Sequence, residues 1–159
     1  MNNRVQFSMI CFLLLSISGC FFPKKKEAVA NEKDKITLIN ADNAFSNLSG
    51  EKGMKNAFLE YIDSNGVLLR PNVIPIAGAD AVDYIIGLKD EGYTMTWKPN
   101  NAVVAVSGEL GYTYGSYILQ PASKDTVFYG TYVSIWKKQD DGKWKFILQS
   151  GNEGLGEEE

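Results

Sequence analysis

Residues 126–151 read TVFYGTYVSIWKKQDDGKWKFILQSG. Two runs rich in β-branched and aromatic residues, 127–138 and 143–150, flank the polar segment Gln139-Asp140-Asp141-Gly142. An Asp-Gly pair between such runs signals a hairpin, because glycine supplies the positive φ of a tight turn. Strand alternation puts Phe128, Tyr132 and Trp136 on one face and Tyr129, Val133 and Ile135 on the other. On the return strand Trp144, Phe146 and Leu148 oppose Lys145, Ile147 and Gln149. Neither face is plainly polar. Both are therefore expected to be covered, one by helices and the other by a second subunit.

Upstream of the hairpin the sequence predicts strands over 111–119, 102–107 and 93–98. Gly111 and Gly115 suit bends or bulges, and Pro99-Asn100-Asn101 separates the two earlier strands. Gly78 leads into a helix with Asp80 as its N-cap and Ala81, Ile85 and Leu88 inward. A short strand, 67–70, precedes Pro71, after a turn at Ser64-Asn65-Gly66, and 72–76 is extended. Leu38, Ala41, Phe45 and Leu48 recur at helical spacing in a first helix that Ser49-Gly50 ends. Met54, Ala57, Phe58 and Tyr61 repeat the pattern in a second helix over 51–61. Segregated helices followed by a strand meander predict an α+β fold. It is a cone, with three N-terminal helices packed on a strongly curved, mostly antiparallel sheet that is open at one end.

The first residues carry an address. Arg4 precedes an apolar run, 7–17, of signal-peptide length, which closes in Ile17-Ser18-Gly19-Cys20. This resembles a bacterial lipobox, which makes 1–19 a lipoprotein signal peptide and Cys20 the lipidated mature N-terminus. Such acyl chains anchor a protein stably to a membrane. The expected location is the cell envelope, on the periplasmic or outer-surface side. Residues 20–35, with Lys24-Lys25-Lys26 and little apolar content, read as a flexible tether. The domain spans 36–153, and 154–159 form an acidic tail. With Cys11 in the leader and Cys20 acylated, the mature domain has no thiol chemistry. Net charge is −3, and −4 once Arg4 leaves, so nucleic acid is not an expected partner. The absence of histidine removes the commonest general base and metal ligand.

The element order, together with Ala41-Asp42-x-x-Phe45, residues 53–61 (GMKNAFLEY), Leu69-Arg70-Pro71, Pro75-Ile76-x-Gly78, residues 108–115 (GELGYTYG), residues 130–138 (GTYVSIWKK) and Asp141-Gly142-x-Trp144-Lys145, resembles the nuclear-transport-factor-2-like superfamily. Within it the SnoaL-like and ketosteroid-isomerase-like group is most similar. The resemblance covers residues 36–152 and implies the cone fold. The superfamily hosts isomerases, cyclases, dehydratases and binding modules, so the fold alone does not license an activity.

The resemblance also implies where catalytic residues would stand. The isomerase base position, just before the proline, holds Arg70, which cannot accept a proton. The donor carboxylate aligns near Thr131, and the Asp that many relatives carry on the last strand is replaced by Gln149. Arg70, the sole arginine after the leader, suits a carboxylate or phosphate ligand at the cavity mouth. Tyr61, Trp97, Tyr114 and Tyr132 are the aromatic candidates for an apolar pocket. Trp144 reads as structural, Asp63 as a turn cap and Glu109 as a solvated loop acid. Asp42 reads as a helix-surface residue or a structural hydrogen-bond partner. No phosphate loop, nucleophile elbow or zinc motif is present, so no cofactor or metal is expected.

The reading is a lipid-anchored domain that binds a small apolar or amphipathic ligand without catalysis, and forms a homodimer through the sheet face. The alternatives are a SnoaL-like or ketosteroid-isomerase-like enzyme using Glu109 or Asp42 as base, and a protein-interaction module using the sheet face.

Overall fold

The computed structural model describes residues 32–123 and 126–154. The signal segment, Cys20, most of the tether and residues 155–159 of the tail lie outside the described residues. Three helices, α1 (Glu32–Lys52), α2 (Met54–Tyr61) and α3 (Ala79–Gly87), accompany six strands. The strands are β1 (Ile62–Leu69), β2 (Ile76–Ala77), β3 (Tyr93–Val104), β4 (Leu110–Pro121), β5 (Phe128–Lys138) and β6 (Trp144–Glu153). They form one sheet in the order β2-β1-β6-β5-β4-β3, antiparallel throughout except for the parallel pair β1 and β6. The expected α+β architecture is observed.

α1 starts at Glu32, so 32–35 are helical where a tether was expected. Glu32 and Asp34 in its first turn and Lys52 in its last suit the helix dipole. It does not end at Ser49-Gly50. The break falls at Gly53, whose φ of 85° disfavours any other residue. The Asp90 carboxylate accepts the Lys55 backbone N–H at 2.7 Å, capping the start of α2. α1 also buries a polar stripe, Asp42, Ser46 and Ser49, beside Leu38 and Phe45. The stripe closes on β3, an edge strand. Ser49 donates to the Met95 carbonyl at 2.7 Å, and Ser46 accepts the Trp97 backbone N–H at 2.7 Å. These are the backbone groups an edge strand leaves unpaired.

The strands depart from expectation at three places. The predicted turn 64–66 lies inside β1, as an irregularity in its register with β6 between Ile62 and Val67. The predicted strands 93–98 and 102–107 merge, with 105–107 in the turn that follows, into one strand that ends at Val104. Pro99 survives in it because β3 is an edge and the register shifts between Pro99 and Asn101. Gly115 faces that bulge, where a Cβ would lie 2.0 Å from the Lys98 carbonyl oxygen. In the 126–151 hairpin the turn forms as read, with Gln139 N–H donating to the Lys143 carbonyl at 2.8 Å. The return strand does not alternate as read. Trp136 pairs with Phe146 but Ile135 pairs with Leu148, so Ile147 is an extra residue. Beyond it the faces exchange: Leu148 leaves the face of Trp144 and Phe146, and Gln149 turns inward. At α3, Asp80 lies in the first turn and the cap position is Gly78, which makes no side-chain bond.

The core is aromatic and centred on Phe45 of α1. Its ring lies 4.9 Å from Phe58, 4.5 Å from Trp97 and 5.5 Å from Phe146. Leu38, Leu68, Ile85 and Trp136 belong to it and are fully buried. Packed aromatic pairs of this kind contribute about 0.5–1.5 kcal/mol each beyond area burial.

Candidate functional site

The core stops short of the cone's open end. There the ends of β1, β3, β4 and β6 and the helices α2 and α3 enclose a cavity of about 240 Å³. Its walls are apolar for the most part, with Met54, Phe58, Leu88, Met95 and Leu119 among them. Tyr84, Tyr93 and Tyr117 add hydroxyls, and Arg70, Gln149 and Glu153 add stronger polar groups. A crevice of about 10 Å³ continues inward between Phe45, Trp97, Tyr132 and Ser134, sharing Phe58, Met95, Tyr117 and Gln149 with the outer space.

Arg70 follows the last residue of β1 and is half-buried. Its Nη1 donates to the Leu69 carbonyl at 2.9 Å and the Gln149 carbonyl at 3.3 Å. The guanidinium carbon stands 5.7 Å from the centre of the Phe58 ring, a cation–π distance. Burial pulls its pKa below the ordinary arginine value, and nearby Tyr84 opposes that. Among the described residues no carboxylate forms an ion pair with it.

Gln149 lies on β6 just past the bulge and is 6% exposed. Its Nε2 reaches the Ser150 carbonyl at 3.4 Å, while its buried Oε1 has no hydrogen-bond donor among the described residues. A buried acceptor without a donor costs about 1–3 kcal/mol.

Asp42 is fully buried under this region. It accepts the Tyr132 hydroxyl at 2.7 Å and the Trp97 indole N–H at 2.8 Å. Desolvation raises its pKa, and the hydrogen bonds from Tyr132, Trp97 and Thr113 work in the opposite direction. Tyr132 is pushed well above the usual phenol range by burial first, and then by the Asp42 charge. Thr113 in turn accepts the Trp136 indole N–H at 2.8 Å. Asp42 is thus a buried structural acceptor that ties α1 to β3, β4 and β5, and it lines neither space.

Of the sequence-predicted residues, Arg70, Gln149, Trp97 and Tyr132 come together here. Two do not. Tyr61 stacks on Phe45 at 4.9 Å and faces a separate groove with Trp144 and Lys145. Tyr114 is 43% exposed on the outer face of β4, beside Tyr112. Its parity explains this: Thr113 and Tyr117 are buried, so the even-numbered neighbour between them points outward. Tyr117 and Leu119 are the β4 residues that face the cavity, and the same parity could have found them. Tyr84 and Tyr93 carried no sequence signal, since their place depends on how α3 and β3 meet. Glu109 is exposed in its loop, and Asp63 caps its turn by accepting the Asn65 N–H at 2.9 Å. Trp144 is buried and donates to Thr37 at 3.1 Å. Among the described residues no three metal-ligating side chains cluster.

No family model and no curated protein sequence matches the chain. Solved structures do. A nuclear transport factor 2-like protein with a cystatin-like fold from Novosphingobium aromaticivorans aligns at 13% identity over 76% of this chain and 81% of that one, with a TM-score of 0.60. A nuclear transport factor 2-like superfamily protein from Salmonella enterica aligns at 12% identity over 82% and 100%, with a TM-score of 0.60. A ketosteroid isomerase-like protein from Erwinia carotovora aligns at 14% identity over 83% and 99%, with a TM-score of 0.51. The likeness is one of fold.

Proposed function

We propose, from the premise that this chain has the nuclear transport factor 2-like fold, that it is a lipid-anchored cell-envelope domain that holds a small amphipathic ligand at the open end of its cone and performs no chemistry on it. The observation that carries the reading is the pairing of a cavity of about 240 Å³ with a half-buried guanidinium on its wall. A general base must reach the proton it removes. The one fully buried carboxylate among the described residues, Asp42, is engaged by Tyr132 and Trp97 and sits behind them. Glu153, the carboxylate on the cavity wall, is exposed at the rim.

The anchor is acylated Cys20. A second copy of the chain packs on the outer sheet face, where Val103, Leu110, Tyr112, Tyr114 and Ile118 are each more than 40% exposed. Native mass spectrometry of the full chain, purified in mild detergent from its own cell envelope, tests the reading. The expected spectrum shows a diacylated N-terminal cysteine and a small molecule retained per chain. A chain free of ligand under gentle release, and unaffected by added small amphiphiles in thermal denaturation, contradicts it.

The enzyme reading has one observation in its favour, the raised pKa of Asp42. It requires Tyr132 and Trp97 to release that carboxylate, and Asp42→Asn would then abolish turnover of a carbon acid.

A further inference from the structure

Three features of the cavity define its ligand more narrowly, provided that the cavity does hold one. First, Arg70 brings a positive charge to the wall without a carboxylate partner among the described residues. Both of its hydrogen bonds leave from Nη1. Nε and Nη2 remain for a planar, two-oxygen acceptor, the geometry of a carboxylate. Second, Gln149 lines both the outer cavity and the inner crevice, and its buried Oε1 has no donor among the described residues. Third, the remaining wall is mostly apolar, with Phe58, Met95 and Leu119 among its residues, which suits the face of a ring.

We propose that the cavity selects a small ring-bearing monocarboxylate with a hydroxyl or N–H at the end remote from its carboxylate. The carboxylate meets Arg70, the ring lies against Phe58, Met95 and Leu119, and the remote donor serves Gln149. One cation neutralises one charge. Glu153, exposed at the rim of the same wall, adds negative charge, so a monoanion leaves less excess charge there than a phosphate dianion would. Gln149 then has a positive role: where an aspartate would repel an anion, the amide accepts the ligand's donor without adding charge.

The test is calorimetric titration of the full chain in nonionic detergent with three probes: 4-hydroxybenzoate, 4-hydroxybenzyl alcohol and benzoate. The first is expected to bind about tenfold or more tightly than the neutral alcohol, and several-fold more tightly than benzoate. R70Q is expected to erase the preference over the alcohol, and Q149L the preference over benzoate, while both variants keep a cooperative thermal transition. Equal binding of acid and alcohol by the natural chain overturns this proposal and leaves ligand holding intact. Retention of the acid preference in R70Q likewise overturns it. Failure of all three probes at millimolar concentration removes the cavity reading and this one together.

Discussion

Asp42 has no exposure to solvent, yet its carboxylate gathers donors from three strands. Its raised pKa means that the native state binds a proton more tightly than the unfolded chain does. The contribution is therefore fully present below the ordinary value of 3.8 and is lost as pH rises through the native pKa. Urea unfolding as a function of pH is expected to show the natural chain gaining stability relative to Asp42→Asn as the medium is acidified across that window. At neutral pH the variant is expected to lose on the order of 1–3 kcal/mol, because its amide N–H₂ meets Tyr132 or Trp97 donor to donor. The sequence left Asp42 open between a helix-surface residue and a structural hydrogen-bond partner, with a base in the alternative enzyme reading. Its burial could not be read there, since the partners lie 55 and 90 residues away. Arg70 was legible for the opposite reason: a lone arginine after three apolar residues marks a charge held near a core.

The elements were legible where pattern and position agree. The hairpin turn, α2 and the inward face of α3 follow from periodicity and turn chemistry. Pro99 misled because a proline breaks a central strand, whereas β3 lies at the sheet's edge. The bulge at Ile147 carries no glycine or proline to announce it, so the inward turn of Gln149 could come only by resemblance. The Gly115 contact yields a sharp expectation: Gly115→Ala forces a methyl against the Lys98 carbonyl and is expected to cost about 1–3 kcal/mol or more, measured by chemical denaturation. The polar stripe of α1 yields another. Ser46→Ala and Ser49→Ala each strip a partner from the β3 backbone, at about 1–3 kcal/mol apiece. Hydrogen exchange at the Trp97 amide is expected to accelerate in Ser46→Ala and to change less in Ser49→Ala.

For the molecule as a whole, fold class follows from segregated helices and a strand meander, and the nuclear transport factor 2-like fold agrees with it. The contents of the cavity were less accessible. They depend on which of two faces each tyrosine takes, and a single bulge reverses that. Two expectations belong to this scale. Cys20→Ala is expected to move the protein from the membrane fraction to the soluble fraction on centrifugation. Under the proposed outer-face dimer, Tyr112→Glu is expected to shift the sedimentation velocity profile from dimer to monomer with the thermal transition retained, and a natural chain that sediments as a monomer overturns that dimer.

The parallel pairing of β1 with β6 joins the chain's seventh block of ten residues to its fifteenth: Leu69 is in register with Ser150. Everything between must be made before that seam can close. A chain delivered N-terminus first therefore spends its emergence with β1 waiting, and contacts of such long sequence separation slow folding. Removing β6 would strand β1 and β2 outside the sheet, so truncation from the C-terminal end should produce a proteolytically fragile product rather than a smaller stable domain.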